Sequence, residues 1–256
     1  MKFKLFLIAI LSATANSLFA QNARFPSSGV IEFEKSVNMY ALIQKNFSSN
    51  RVQSSLGNIL DMYKKSNPQF KLLKSTLTFS PTKSLFSPDK DETVRNLFGM
   101  IQTEQPNITY TDLATGTFIT QKSAFEETFL IKDTTRKINW KLTSEMRTIA
   151  GYECRRANAI IMDSLYVVAF YTDRIPVSGG PESFTGLPGM ILGIALPHDH
   201  VTWFATKVTD REISSTEIKP PVKGKETNMN ALKEVLLKGI KNWGENMHTY
   251  LKAFLL

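Results

Sequence analysis

Residues 152–172 read YECRRANAIIMDSLYVVAFYT. From Tyr152 to Met162, and again from Leu165 to Thr172, the stretch is rich in β-branched and aromatic residues. Met162-Asp163-Ser164-Leu165 separates the two runs, with Asp163 and Ser164 as turn residues, so the stretch reads as two strands in a tight hairpin. The same reading extends to both sides. Val30, Glu32 and Glu34 alternate with Ile31 and Phe33, which gives a first half-buried strand. Leu73, Ser75, Leu77 and Phe79 alternate in the same way, and 117–120 follows a turn at Thr115-Gly116. Segments 125–131 and 138–143 continue the series, and 190–196 is joined to 201–208 through Pro197-His198-Asp199-His200. Short strands at this spacing imply a mainly β (α+β) fold, a curved antiparallel sheet or half-barrel.

Two stretches break the period. Residues 38–66 read as helical or irregular, with Leu56, Ile59, Leu60 and Tyr63 at helical spacing, and Ser66-Asn67-Pro68 ends them. After Pro220-Pro221, Met229, Leu232, Leu236, Ile240, Trp243, Met247, Tyr250 and Phe254 form one stripe of a long amphipathic helix over about 227–254. Thr227 or Asn228 is its N-cap, and Gly239 and Gly244 predict a bend or break. The stripe packs on the sheet, or else serves a membrane surface or a partner.

The chain has 256 residues, 42% hydrophobic and 21% charged, which excludes a disordered tail, a collagen-like fibre and a disulfide scaffold. No apolar run reaches the ~18 residues of a spanning helix. Lys2 and Lys4 precede an apolar core over 5–11, and small and polar residues lead to Ser17-Leu18-Phe19-Ala20. This is the layout of a secretory signal peptide over 1–20, with a single domain over 21–256, although a buried apolar helix has a similar composition. Losing Lys2 and Lys4 lowers the formal charge from +8 to +6. An exported protein works in the periplasm or outside the cell, where cysteines pair, yet Cys154 is the only cysteine. It is either a small apolar residue inside a strand or a thiolate favoured by Arg155 and Arg156.

Residues 175–189 read IPVSGGPESFTGLPG, four glycines and three prolines in fifteen positions. Flanked by strands, this is a shaped loop and not a linker. Phosphate-cradling glycine patterns are absent. The loop either caps the sheet, with Phe184 and Leu187 plugging the core, or shapes the rim of a ligand site. In the second case Phe184, Gly186, Leu187, Pro188, Gly189 and Met190 are the candidate ligand- or partner-binding residues.

Gly186-Leu187-Pro188-Gly189-Met190-Ile191 resembles the signature of the GLPGLI family of exported proteins of Bacteroidetes-type bacteria. The likeness extends through Ala169-Phe170-Tyr171-Thr172, Ile175-Pro176-Val177, Gly179-Gly180-Pro181, the Trp140-Lys141 pair and Gly151-Tyr152-Glu153-Cys154. Met190 stands where the family name has leucine, a volume-preserving swap. The resemblance implies an exported, mainly β protein and carries over no catalytic residue. It also implies a layout similar to the half-open sheets of periplasmic lipoprotein carriers, an analogy of fold alone.

Hidden chemistry has few anchors. Gly-x-Ser-x-Gly is absent, and Ser178 and Ser183 are coupled to no histidine by spacing. Glu126, Glu127, Asp173 and Glu182 cannot be paired across strands as glycosidase carboxylates from the sequence, and they read more simply as solvated. His198 and His200 share a face if their segment is extended, which makes them weak zinc or copper candidates against a plain polar hairpin tip. No nucleic-acid motif or cofactor motif is present. The expectation is an exported, non-catalytic binding protein for an apolar small molecule or an envelope protein. N-terminal sequencing of the protein recovered from the cell envelope is expected to read Gln21 first; a chain still beginning at Met1 would refute the signal peptide.

Overall fold

The computed structural model describes residues 25–47, 53–89, 103–104, 107–242 and 247–256. The expected signal peptide and the stripe residue Trp243, with Gly244, lie outside the described residues. The elements in chain order are β1 (Gly29–Asn38), α1 (Met39–Phe47), α2 (Gln53–Ser66), β2 (Phe70–Phe79), β3 (Lys83–Pro88), β4 (Ile108–Asp112), β5 (Thr117–Ala124) and β6 (Glu127–Thr134). They continue as β7 (Lys141–Ile149), β8 (Tyr152–Ile161), β9 (Leu165–Thr172), β10 (Met190–Leu196), β11 (Val201–Asp210), β12 (Lys225–Thr227), α3 (Met229–Ile240) and α4 (Met247–Leu255).

All twelve strands form one open, curved sheet in the order β12-β6-β5-β4-β3-β2-β1-β11-β10-β9-β8-β7. Neighbours are antiparallel except β12, which runs parallel to β6. β1 lies in mid-sheet, paired to β2 from Gly29↔Phe79 to Asn38↔Phe70 and to β11 from Gly29↔Asp210 to Val37↔Val201. Alternation along β1 buries Ile31, Phe33 and Val37, and the facing positions Leu77, Ala205 and Val201 are buried with them. Helix α1 covers this core with Met39, Leu42 and Ile43.

The structure departs from the expected elements where local backbone geometry intervenes. β6 begins at Glu127, because Phe125 adopts a left-handed conformation (φ +57°) in the preceding turn. The 138–143 strand is hydrogen-bonded only from Lys141. The hairpin at 162–165 places its left-handed residues at Met162 and Asp163, one position earlier than Asp163 and Ser164. The C-terminal stripe is two helices: Asn228 caps α3 by accepting from the Ala231 amide at 2.9 Å, and α3 ends at Ile240. Leu232, Leu236 and Ile240 of α3 and Leu251 and Phe254 of α4 pack on Phe118, Phe129 and Ile131 of the sheet. No helix among the described residues is long and apolar enough to cross a membrane.

The Gly/Pro segment folds back over the sheet. The Met190 amide donates to the Ile175 carbonyl at 3.0 Å, and the Ile191 amide to the Gly179 carbonyl at 2.8 Å. The Trp140 indole N–H donates to the Thr185 carbonyl at 2.9 Å. Gly189 has φ +150°, and a Cβ there would lie 2.2 Å from the Thr172 carbonyl oxygen. Gly189→Ala is therefore expected to lower stability by at least ~2 kcal/mol. A urea midpoint equal to that of the wild type would show that the close approach is not required.

Candidate functional site

Three charged side chains converge inside the curve. β1 continues its inward alternation past Phe33 to Lys35, and β5 points Lys122 to the side of Phe118 and Thr120. The Gly/Pro segment delivers Glu182. Lys35 and Lys122 are each 4% exposed and Glu182 5%, so all three groups are removed from water. Asn107 donates its Nδ2 to Glu182 Oε2 at 2.9 Å. Lys35 donates to the Glu104 carbonyl at 2.5 Å, and its ammonium lies 4.9 Å from the centre of the Trp203 ring. Beside them the Thr120 hydroxyl donates to that of Thr109 at 3.0 Å.

Burial pulls both ammonium groups down to about 8, an effect that the Glu182 charge opposes. Burial likewise raises Glu182, against the pull of the two lysines and the Asn107 hydrogen bond. Glu182 thus offsets part of the burial cost of both lysines, while Lys122 adds to that of Lys35.

A cavity of about 300 Å³ adjoins this cluster, between β5, β6 and the C-terminal helices. Phe118, Ile131, Met229, Leu255 and Leu256 give it apolar walls, and Thr120, Lys122, Asp133, Thr134, Arg136, Ser183 and Asn230 give it polar points. Asp133 is held in place by the Met229 amide, which donates to its Oδ2 at 3.0 Å. Arg136 donates to the Leu255 carbonyl at 3.1 Å, and burial lowers its pKa.

The residues expected to hold a ligand lie elsewhere. Phe184, Leu187 and Met190 are closed into the sheet core, while Gly186 and Pro188 are exposed and Gly189 is wedged against Thr172. Of the Gly/Pro segment, Ser183 alone lines the cavity. Ser178 is a backbone tie, its Oγ accepting from the Gly186 amide at 3.1 Å. The histidine hairpin is not extended: Pro197–Asp199 is a single 3-10 turn, and His200 is left-handed at φ +57°. The i, i+2 geometry that would align His198 with His200 is therefore missing, and Asp199 is paired to Lys45 at 2.9 Å. No group of three metal-type side chains gathers among the described residues. Cys154 is buried, and burial pushes its thiol up to about 12, so it is a thiol and not a thiolate.

Sequence reasoning missed the Lys35–Lys122–Glu182 cluster, and Glu182, expected to be solvated, is buried. The cluster's visible signals were Lys35, in phase with Ile31 and Phe33, and Lys122, in phase with Phe118, where apolar residues belong.

The model of a family described as "Protein of unknown function (Porph_ging)" matches residues 160–193. That is a Bacteroidetes-type, uncharacterised family, and the match spans β9, the Gly/Pro segment and the start of β10. Among solved structures the chain is similar to PNGF-II in two crystal forms. In space group P21 the TM-score is 0.50 at 16% identity, covering 81% of this chain and 32% of PNGF-II. In space group C2 the TM-score is 0.50 at 14% identity with the same coverage, 81% and 32%. The chain thus spans about a third of PNGF-II, and at these identities the likeness is one of fold. No curated protein matches the chain.

Glu182→Gln would leave Lys35 and Lys122 buried without their shared counter-charge, an expected loss of ~3–5 kcal/mol near pH 7. Between about 8 and 10.5 the wild-type lysines hold fewer protons folded than unfolded, so their contribution to stability rises with pH across that window. The deficit of the variant should therefore narrow as the lysines discharge, which urea titrations near pH 7 and at about pH 9.5 measure. A pH-independent deficit would show that the carboxylate acts by shape and not by charge.

Proposed function

We propose that the protein is an exported, non-catalytic binding protein of the cell envelope, which holds a small apolar or lipid-like ligand beside its curved sheet. The observation that carries this reading is the cavity of about 300 Å³ between β5, β6 and the C-terminal helices. Apolar walls with a few convergent polar groups are the usual make-up of a small-molecule site, and this volume lies at the lower end of such sites. Met229 and Leu255 come from the helices, Leu256 directly follows α4, and Phe118 and Ile131 come from the sheet, so a ligand there would sit under the helical cover.

Export is supported by the charged and apolar pattern of residues 1–20 and by the GLPGLI-like motif, whose segment falls inside the family match at 160–193. A non-catalytic role is in keeping with two of the nucleophile candidates: Ser178 accepts from the Gly186 amide as part of the loop, and burial keeps the Cys154 thiol protonated.

Native mass spectrometry of the protein purified from cell envelopes without detergent tests the reading. The expected spectrum shows added mass in the range of a small lipid-like molecule, released on denaturation and absent from Ser183→Trp, which fills the cavity. A bare wild-type mass would overturn the proposal.

A further inference from the structure

We propose that the cavity selects an anionic amphiphile, whose charged head meets Lys122 and whose apolar tail lies along Ile131 and Met229; this rests on the cavity being a binding site. Lys122 borders the cavity yet makes no hydrogen bond and no ion pair with any described residue. An ammonium carries three donors, and no described residue accepts from any of them although the side chain is 4% exposed. Glu182 does not fill that role alone, because it also serves Lys35 and accepts from Asn107 at 2.9 Å.

Two cations, Lys122 and Arg136, line the cavity beside one acidic side chain, Asp133. Arg136 donates to the Leu255 carbonyl at 3.1 Å, and its guanidinium carries further donors. Asp133 is engaged by the Met229 amide. A negative charge entering the cavity therefore meets an ammonium and a guanidinium. The shared chemistry is an anionic head, carboxylate or phosphate. The volume suits one short chain, not a two-chain lipid.

Titration calorimetry on the full mature chain with decanoate, decyl phosphate and decanol separates these ideas. Near pH 7 the wild type is expected to bind at least one of the two anions about tenfold or more tighter than decanol, and the tighter anion identifies the head group. Lys122→Met should lose that preference while keeping its affinity for decanol. Should the variant fail to fold, the wild type alone still decides. Raising the pH to about 9.5 discharges Lys122, and with it Lys35, while Arg136 stays charged, so decanoate affinity falls several-fold and decanol affinity holds. Equal affinity for anions and decanol, or a flat pH response for decanoate, would overturn the anion inference and leave the apolar cavity standing. Failure of all three probes to bind would overturn both.

Discussion

A buried carboxylate holds the Gly/Pro segment against the inside of the sheet. Glu182 accepts from Asn107 at 2.9 Å, and its charge favours the buried ammonium groups of Lys35 and Lys122, although Lys122 disfavours that of Lys35. Its position marks where the segment crosses. Once Glu182 is in place, Phe184 and Leu187 two and five residues on enter the apolar part of the curve, and β10 leaves at Met190 to pair with β9. The sheet interior is therefore half oily and half polar. Phe33, Leu77 and Phe86 stand on one side of the boundary, and Ser84, Thr109, Thr111 and Thr120 on the other.

Much of this architecture was legible because alternation is a strong signal where one face is buried. β1, β2, β5, β8, β9, β10 and β11 all coincide with runs of alternating or apolar residues. β3 and β4 escaped notice because their inward positions carry Ser84, Thr109 and Thr111, which read as loop. The helix break near Gly239 was visible, but its reason was not: a Cβ at Gly239 would lie 2.6 Å from the Phe125 ring, so the glycine makes room for an aromatic from a distant turn. The candidate site was the least legible part. Its cations come from β1 and β5 and the region after β6, and its acid from a loop, a meeting that only the tertiary fold arranges. The eye was drawn to Phe184 and Leu187 by their unusual neighbours, whereas the fold uses those side chains as core.

The likeness to PNGF-II is a likeness of scaffold, and a scaffold of this kind is indifferent to the ligand it serves. What distinguishes this chain lies in which residues interrupt the apolar face. A lysine in phase with Ile31 and Phe33, and another in phase with Phe118, are expensive departures from the pattern. Departures of that sort tend to gather at functional sites, where local consistency yields to a task.

The placement of β1 in mid-sheet has a consequence for the order of assembly. Its partner β2 follows within about forty residues, but its other partner, β11, is synthesised some 170 residues later. Until Val201–Asp210 is available, β1 and β10 each present an unpaired edge, and the two halves of the sheet have no seam. Such late, long-range closure makes for slow folding and a sticky intermediate. A nascent chain of this design keeps both edges open until residues 201–210 have emerged, so whatever shields those edges has to act before the two halves meet.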